Sequence, residues 1–346
     1  MAAVVLTVLV DPYRFFGTAP VAGWTSLKPR ASQQSDLAKT YMLARARPTT
    51  LLLGNSRVEV GLDPGSSGWP AGLRPVFNAA LAGHGLFSAL LFLQDDLALK
   101  PPKLVVLGVD FQDFIQSGND SSEPLENAAE RRMLADRSGT TNGTREIQVW
   151  ADAITSTLSI NAVTDSVTTL LLQNPSRDPT LTPDGFNPLH DYDYIVRHEG
   201  AYNLFAQKLD AYEAQYRVFH PSDFRDRGKN PQFRYLMAIA RACAKHRIRL
   251  IILTYPYHAR YFAMLHALNL WPSFVSWKRA LNRSVDDMKA EPGSEVRLFD
   301  FAQESAVSRE PVPPPGDRRT QMRWYWEAGH YKSELGDRLV TRMMER

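Results

Sequence analysis

The stretch Thr50-Leu-Leu-Leu-Gly-Asn-Ser-Arg-Val58 decides the fold. Three consecutive leucines read as a short strand buried on both faces, and Gly54-Asn55 suits the tight turn that ends it. Ser56 then stands at the carboxyl edge of that strand, where open α/β sheets place their ligands. Its hydroxyl has two readings, the cap of the following helix or a nucleophile, and partners elsewhere in the chain have to separate them.

Two more apolar runs repeat the pattern. Lys103–Phe111 and Arg249–Tyr255 are continuous buried strands with polar residues at their carboxyl ends, and shorter strands are expected at Arg74–Asn78 and Val296–Phe301. Between them lie helical patterns at Ser35–Arg47, Gly85–Leu99, Pro231–His246, His258–Leu268 and Trp271–Lys289, with a terminal helix from Ser333. Strands alternating with helices imply an α/β fold, three-layer α/β/α with a mostly parallel central sheet. The alternation lapses across residues 112–230, a largely helical insertion or cap. Within it a short helix is expected around Glu126–Ala135, helical character over Ile147–Leu172, a long irregular segment over Gln173–Gly200, and an amphipathic helix over Gly200–Phe219.

The 346 residues, 44% of them apolar, suffice for a substantial core. The 40 basic and 37 acidic residues are intermixed and leave a net charge of +3, which excludes the concentrated basic face of a nucleic-acid binder. The single cysteine, Cys243, rules out an internal disulfide and sits in a helical pattern as a buried small residue. Residues Met1–Val10 are apolar apart from Thr7, about half the roughly 20 residues of a spanning helix. Residues 1–16 are therefore read either as the tail of a membrane anchor, with Tyr13, Phe15, Phe16 and Trp24 as its interface belt, or as an edge strand or buried helix. Residues 17–346 are read as one domain carrying the insertion.

Near the other end stands Trp324-Tyr-Trp-Glu-Ala-Gly-His-Tyr331. Glu327, three residues before His330, can curl back to orient the imidazole, and an oriented base is what a serine hydroxyl needs near neutral pH. The plainer reading is a surface glutamate and a capping histidine. His190, Asp191, Asp193, His198 and Glu199 crowd the long irregular segment but lack the spacing of a dedicated metal site, and no cofactor motif is present.

Taken in order, these blocks resemble the SGNH, or GDSL-like, hydrolases. Gly54-Asn55-Ser56 is similar to the nucleophile block, with Asn in place of Asp. Asn78-Ala-Ala-Leu-Ala-Gly83 resembles the second block, whose last glycine gives a backbone N–H to the oxyanion. Leu107-Gly-Val-Asp110 stands where the third block carries Gly-x-Asn-Asp, and Glu327-Ala-Gly-His330 resembles the final Asp-x-x-His. The resemblance implies a flavodoxin-like sheet, catalysis by Ser56, His330 and Glu327, and an oxyanion site from Ser56, Gly83 and the position of Asp110. Asn55, Arg57, Asn78, Tyr255, His258 and Tyr331 are candidates to line the substrate, with capping of its helix the other reading of His258 and core packing the other reading of Tyr255. Asp110 departs from the pattern, because a carboxylate accepts hydrogen bonds and opposes a negative transition state. Either it points away, or it is protonated, or a group such as Asn55 or Arg57 supplies the donor.

The expected activity is ester hydrolysis or O-acyl transfer on a carbohydrate or other small ester, without cofactor or metal. The Val-Asp-Pro-Tyr start, the Gly-Asn-Ser-Arg turn and the His-Tyr ending also resemble membrane-associated SGNH-like proteins of bacterial exopolysaccharide loci. That likeness implies a periplasmic or extracytoplasmic location, a polysaccharide ester as substrate and a membrane acyl-transfer partner. The rival reading is a non-catalytic carbohydrate-binding or scaffold protein on the same fold.

Overall fold

A computed structural model describes residues 1–117 and 128–345. The chain begins with α1 (Ala2–Val10), α2 (Pro29–Gln33) and α3 (Ser35–Ala46), then β1 (Thr50–Leu53), α4 (Ser56–Gly61), β2 (Val76–Asn78), α5 (Leu86–Leu99), β3 (Leu104–Val109) and α6 (Phe111–Ser117). The insertion contributes α7 (Ala128–Arg132), α8 (Arg145–Leu158), α9 (Ile160–Leu171), α10 (His190–Glu199) and α11 (Ala201–Tyr216). Alternation resumes with α12 (Pro231–Lys245), β4 (Arg249–Thr254), α13 (Ala259–Ala267), α14 (Trp271–Ala290), β5 (Glu295–Asp300) and α15 (Ser333–Met344).

The five strands form one all-parallel sheet in the order β2-β1-β3-β4-β5. Every residue of β1 and β3 is buried, which is why both read as unbroken apolar runs. Helices cover both faces: α5, α12 and α14 pack in a row, and α4 packs on α15. The fold is thus the three-layer α/β/α arrangement that the alternation implies. Because β2 lies on one side of β1 and β3 on the other, the strand order reverses between β1 and β3. The carboxyl ends of β1 and β3 at this switch point are the place where doubly wound sheets bind ligands. Ser56 follows β1 and Asp110 follows β3.

The insertion corrects two readings of the sequence. The segment expected to be irregular over 173–200 ends in α10, with Asp191 and Asp193 in its first turn, Arg197 and His198 in its last, and Val196 buried. Those charges suit the helix dipole, and the polar His190-Asp-Tyr-Asp start hid the apolar side from a periodicity search. The helical stretch over 147–172 is two helices broken at Ser159, whose Oγ accepts the Ala162 N–H at 3.0 Å. Residues 2–10, for which the sequence leaves an edge strand and a buried helix both open, form a helix packed on α8 and α9 with Thr7 and Val10 buried. The helix expected around 126–135 is found at Ala128–Arg132, while residues 126 and 127 lie outside the described residues.

Candidate functional site

The turn after β1 is built so that Ser56 is left free. Gly54 holds φ +147°, a region costly for residues with a Cβ, and an added Cβ would lie 3.0 Å from Tyr255 Oη and 3.2 Å from Gly108 O. Asn55 performs the capping that Ser56 was one reading for: its Oδ1 accepts the Arg57 N–H at 3.1 Å. Relieved of that duty, the partly buried Ser56 hydroxyl donates to His330 Nε2 at 2.8 Å.

His330 and Glu327 arrive from the loop before α15. Trp326 N–H donates to His330 O at 3.0 Å and a bridge joins Tyr325 to Tyr331, closing the loop into a tight hairpin. Glu327 is fully buried, accepts from His330 Nδ1 through Oε1, and takes the Gly329 N–H on Oε2 at 2.7 Å. A carboxylate beside Nδ1 fixes the tautomer with the proton there, so Nε2 is free to receive a proton from serine. Burial alone would raise the Glu327 pKa; the charge and hydrogen bond of His330, the Gly329 N–H and the Arg57 charge outweigh it and hold the carboxyl below its usual range.

A fourth side chain joins these three. Tyr212, on α11 of the insertion, donates its hydroxyl to Glu327 Oε1 at 3.2 Å and lies 3.1 Å from His330 Nδ1. Burial first, then the Glu327 charge, pushes its pKa well up, so the hydroxyl stays protonated and can act as a donor. In the sequence Tyr212 is one of several aromatics at helical spacing, with nothing to separate it from core residues. Only the fold of α11 against the His330 loop identifies it.

Asp110 lies beneath the site and is turned inward. It is fully buried and accepts from Asn55 Nδ2 at 2.8 Å, Tyr257 Oη at 2.6 Å, the Gln112 N–H at 3.1 Å and Arg57 Nη1. Of the three possibilities open for this residue, the geometry selects the first, since both oxygens are occupied on the inner side. Arg57 is equally buried. Its Nε donates to Gly329 O at 3.0 Å, and the rings of Tyr212, Tyr255, Tyr257 and Tyr261 surround its guanidinium at 5.3–5.9 Å. Desolvation opposes its charge, but Asp110 and the tyrosines more than offset this and raise its pKa. The pair therefore ties the Ser56 turn to the loop of His330 through Gly329.

The remaining expected oxyanion donors are backbone groups. Neither the Ser56 N–H, first of α4, nor the Gly83 N–H has an acceptor among the described residues. Leu81 N–H donates to Gly54 O at 3.1 Å, and the buried Lys39 ammonium bonds Ala80 O at 2.5 Å and Glu59 at 2.9 Å, fastening the Gly83 turn beside the serine turn.

The expected lining residues are corrected by the structure, because all six are buried behind the site. Asn55 and Arg57 face Asp110. Asn78 places its amide on the carbonyls of Val58 and Leu62 at 2.9 and 3.0 Å, serving as a brace for α4. Tyr255 fills the space above Gly54 and Gly108, and Tyr331 packs on Gly61. His258 caps α13, accepting the Arg260 N–H at 3.2 Å, while its Nε2 lies 2.8 Å from Glu310 O. Asparagine, histidine and tyrosine look alike in sequence whether they face a substrate or satisfy a buried carbonyl.

No protein-family model matches the chain, and no curated protein matches it. The arrangement is a hydroxyl, an imidazole and a carboxylate in hydrogen-bonded series at a sheet's carboxyl edge, with two backbone N–H groups, of Ser56 and Gly83, that have no acceptor among the described residues. Such a series can transfer a proton out of a serine and stabilise the imidazolium that results.

Proposed function

We propose that this protein is a serine-dependent acyl-ester hydrolase or O-acyltransferase of SGNH type, acting on a carbohydrate or other small ester. The observation that carries the reading is the 2.8 Å hydrogen bond from Ser56 to His330 Nε2, between groups at opposite ends of the chain. Ser56 Oγ attacks the ester carbonyl carbon as its proton passes to His330 Nε2. Glu327 stabilises the imidazolium, and the N–H groups of Ser56 and Gly83 receive the oxyanion. Collapse of the tetrahedral adduct breaks the ester C–O bond, and His330 returns the proton to the departing alkoxide. Water, or a sugar hydroxyl, then attacks the acyl-serine, giving its proton to His330, and the serine is restored. The extracytoplasmic setting and membrane acyl-transfer partner implied by the resemblance belong to this proposal.

One observation favours the rival reading of a non-catalytic binder. With Asp110 turned inward, the third donor of the oxyanion site is missing, and one such donor is typically worth about 10²–10³ in rate. Treatment with a serine-directed phosphonate, followed by mass mapping, separates the readings: an adduct on Ser56 that is absent from His330→Ala is expected. Equal hydrolysis of p-nitrophenyl acetate by wild type and Ser56→Ala would instead support the binder. Adding an oligosaccharide acceptor distinguishes transfer from hydrolysis.

A further inference from the structure

The helices α1, α8 and α9 pack together at the side of the molecule and present an apolar face to the outside. On α8 and α9, Ile147, Trp150, Ile154, Leu158, Ile160 and Leu171 are between 55% and 81% exposed. The first four recur at helical spacing, so they form a stripe and not scattered surface residues. Val5 and Leu9 of α1 and the nearby-numbered Trp24 are also exposed. Soluble monomers seldom leave contiguous apolar surface on this scale uncovered.

We propose that this face docks the protein onto a lipid bilayer, with α8 and α9 lying in the plane of the membrane surface. Two independent features select hydrocarbon as the occupant. The first is charge. Beyond Arg145 and Glu146 in the first turn of α8, the charged residues of α8 and α9 are Asp152 and Asp165, and both are engaged inward: Asp152 with Arg132 and Tyr41, Asp165 with Tyr13 and with Arg30 at 3.0 Å. Helix α1 carries none. The second is the treatment of hydroxyls. Thr155, Ser159, Thr164 and Thr168 each donate to a carbonyl of their own helix, three or four residues back, at 2.7–3.0 Å. A hydroxyl so bonded can enter an apolar medium without leaving a donor unpaired. A protein partner would be expected to find about one hydrogen bond per 100–200 Å² of contact, and this face has already spent most of its donors on itself.

Helices α8 and α9 lie on the membrane and do not cross it. At 14 residues α8 is about 21 Å long, short of the roughly 30 Å hydrocarbon core. No helix among the described residues is long and apolar enough to span. Trp150, 72% exposed, is of the kind that anchors in the headgroup layer.

Flotation of the full chain with phosphatidylcholine vesicles tests this. Wild type is expected to float with the vesicles and to remain bound in about 1 M NaCl, because no charge pair is involved. The double variant Ile154→Lys, Leu158→Lys should lose at least about tenfold in partitioning while keeping its thermal melting profile. Vesicles of brominated phosphatidylcholine should quench wild-type emission more than that of Trp150→Phe, a reading that introduces no charge. Wild type left unbound at millimolar lipid, or equal quenching in the two proteins, would overturn the proposal. So would a homodimer that captures no vesicles and dissociates on the same substitutions, which would assign the face to a second copy.

Discussion

At the scale of single residues, Asp110 is the most informative position, because sequence and structure give it opposite meanings. By resemblance it occupies the place of an oxyanion-donating asparagine; in the fold it is the counter-charge of Arg57 and the acceptor for Asn55 and Tyr257. Restoring the amide by Asp110→Asn should therefore harm the protein. It leaves the Arg57 charge buried without its partner, a loss of about 3–5 kcal/mol, readable as a lowered urea midpoint at unchanged slope. A variant as stable as wild type and faster on p-nitrophenyl acetate would contradict this assignment. Tyr212 gives a second prediction. Tyr212→Phe keeps the ring and removes the hydroxyl that bonds Glu327 Oε1, so kcat should fall about tenfold with KM little changed. Loss of activity only in step with loss of folded protein would reduce Tyr212 to packing.

Among elements, the contact of α4 with α15 is decisive, because α4 begins at Ser56 and α15 follows the His330 loop. Their backbones touch at two glycines: a Cβ added to Gly336 would stand 1.7 Å from Gly61 O, which no side-chain movement can relieve. Gly336→Ala is expected to push the helices apart, costing about 1–3 kcal/mol and separating Ser56 from His330. Phosphonate labelling should drop more steeply than the melting temperature. Full labelling in a protein with wild-type stability would show that the close approach is dispensable. How much was legible varies between elements for a physical reason. The strands β1, β3 and β4 were visible because burial on both faces demands unbroken apolar runs. Helix α10 was hidden, because its partners lie on one narrow side and its remaining surface is polar.

For the molecule as a whole, stability should carry a signature of burial that is unrelated to the site. Asp96 on α5 is fully buried, neither carboxylate oxygen has a hydrogen-bond partner among the described residues, and desolvation, aided by Asp95, lifts its pKa to about 8. The folded state thus keeps a proton that the unfolded chain releases near its ordinary pKa of 3.8. Stability contributed at low pH is lost progressively as pH rises from about 4 to about 8, and the loss levels off above that. Glu327 acts in the opposite sense: its lowered pKa favours the folded state above the ordinary carboxyl range, and that contribution disappears as acid protonates it. Asp96→Asn should remove much of the decline between pH 4 and 8 in chemical denaturation. An unchanged profile would mean that water, or the nearby Lys100 charge that opposes the rise, already compensates the carboxylate.

The sequence by itself determined what depends on local pattern: an α/β chain, its core strands, and a serine at a turn after the first of them. Apolar periodicity and turn chemistry are set by neighbours a few residues apart, so a linear reading recovers them. The tertiary structure alone decided which polar residues face outward and which satisfy the interior. Asn55 rather than Ser56 caps α4, Asp110 turns to Arg57, Asn78 braces carbonyls, and Tyr212 reaches Glu327 from the insertion. Each of those outcomes is a competition for hydrogen-bond partners far apart in the chain. A buried donor or acceptor goes where its desolvation is best repaid, and only the packed molecule specifies where that is.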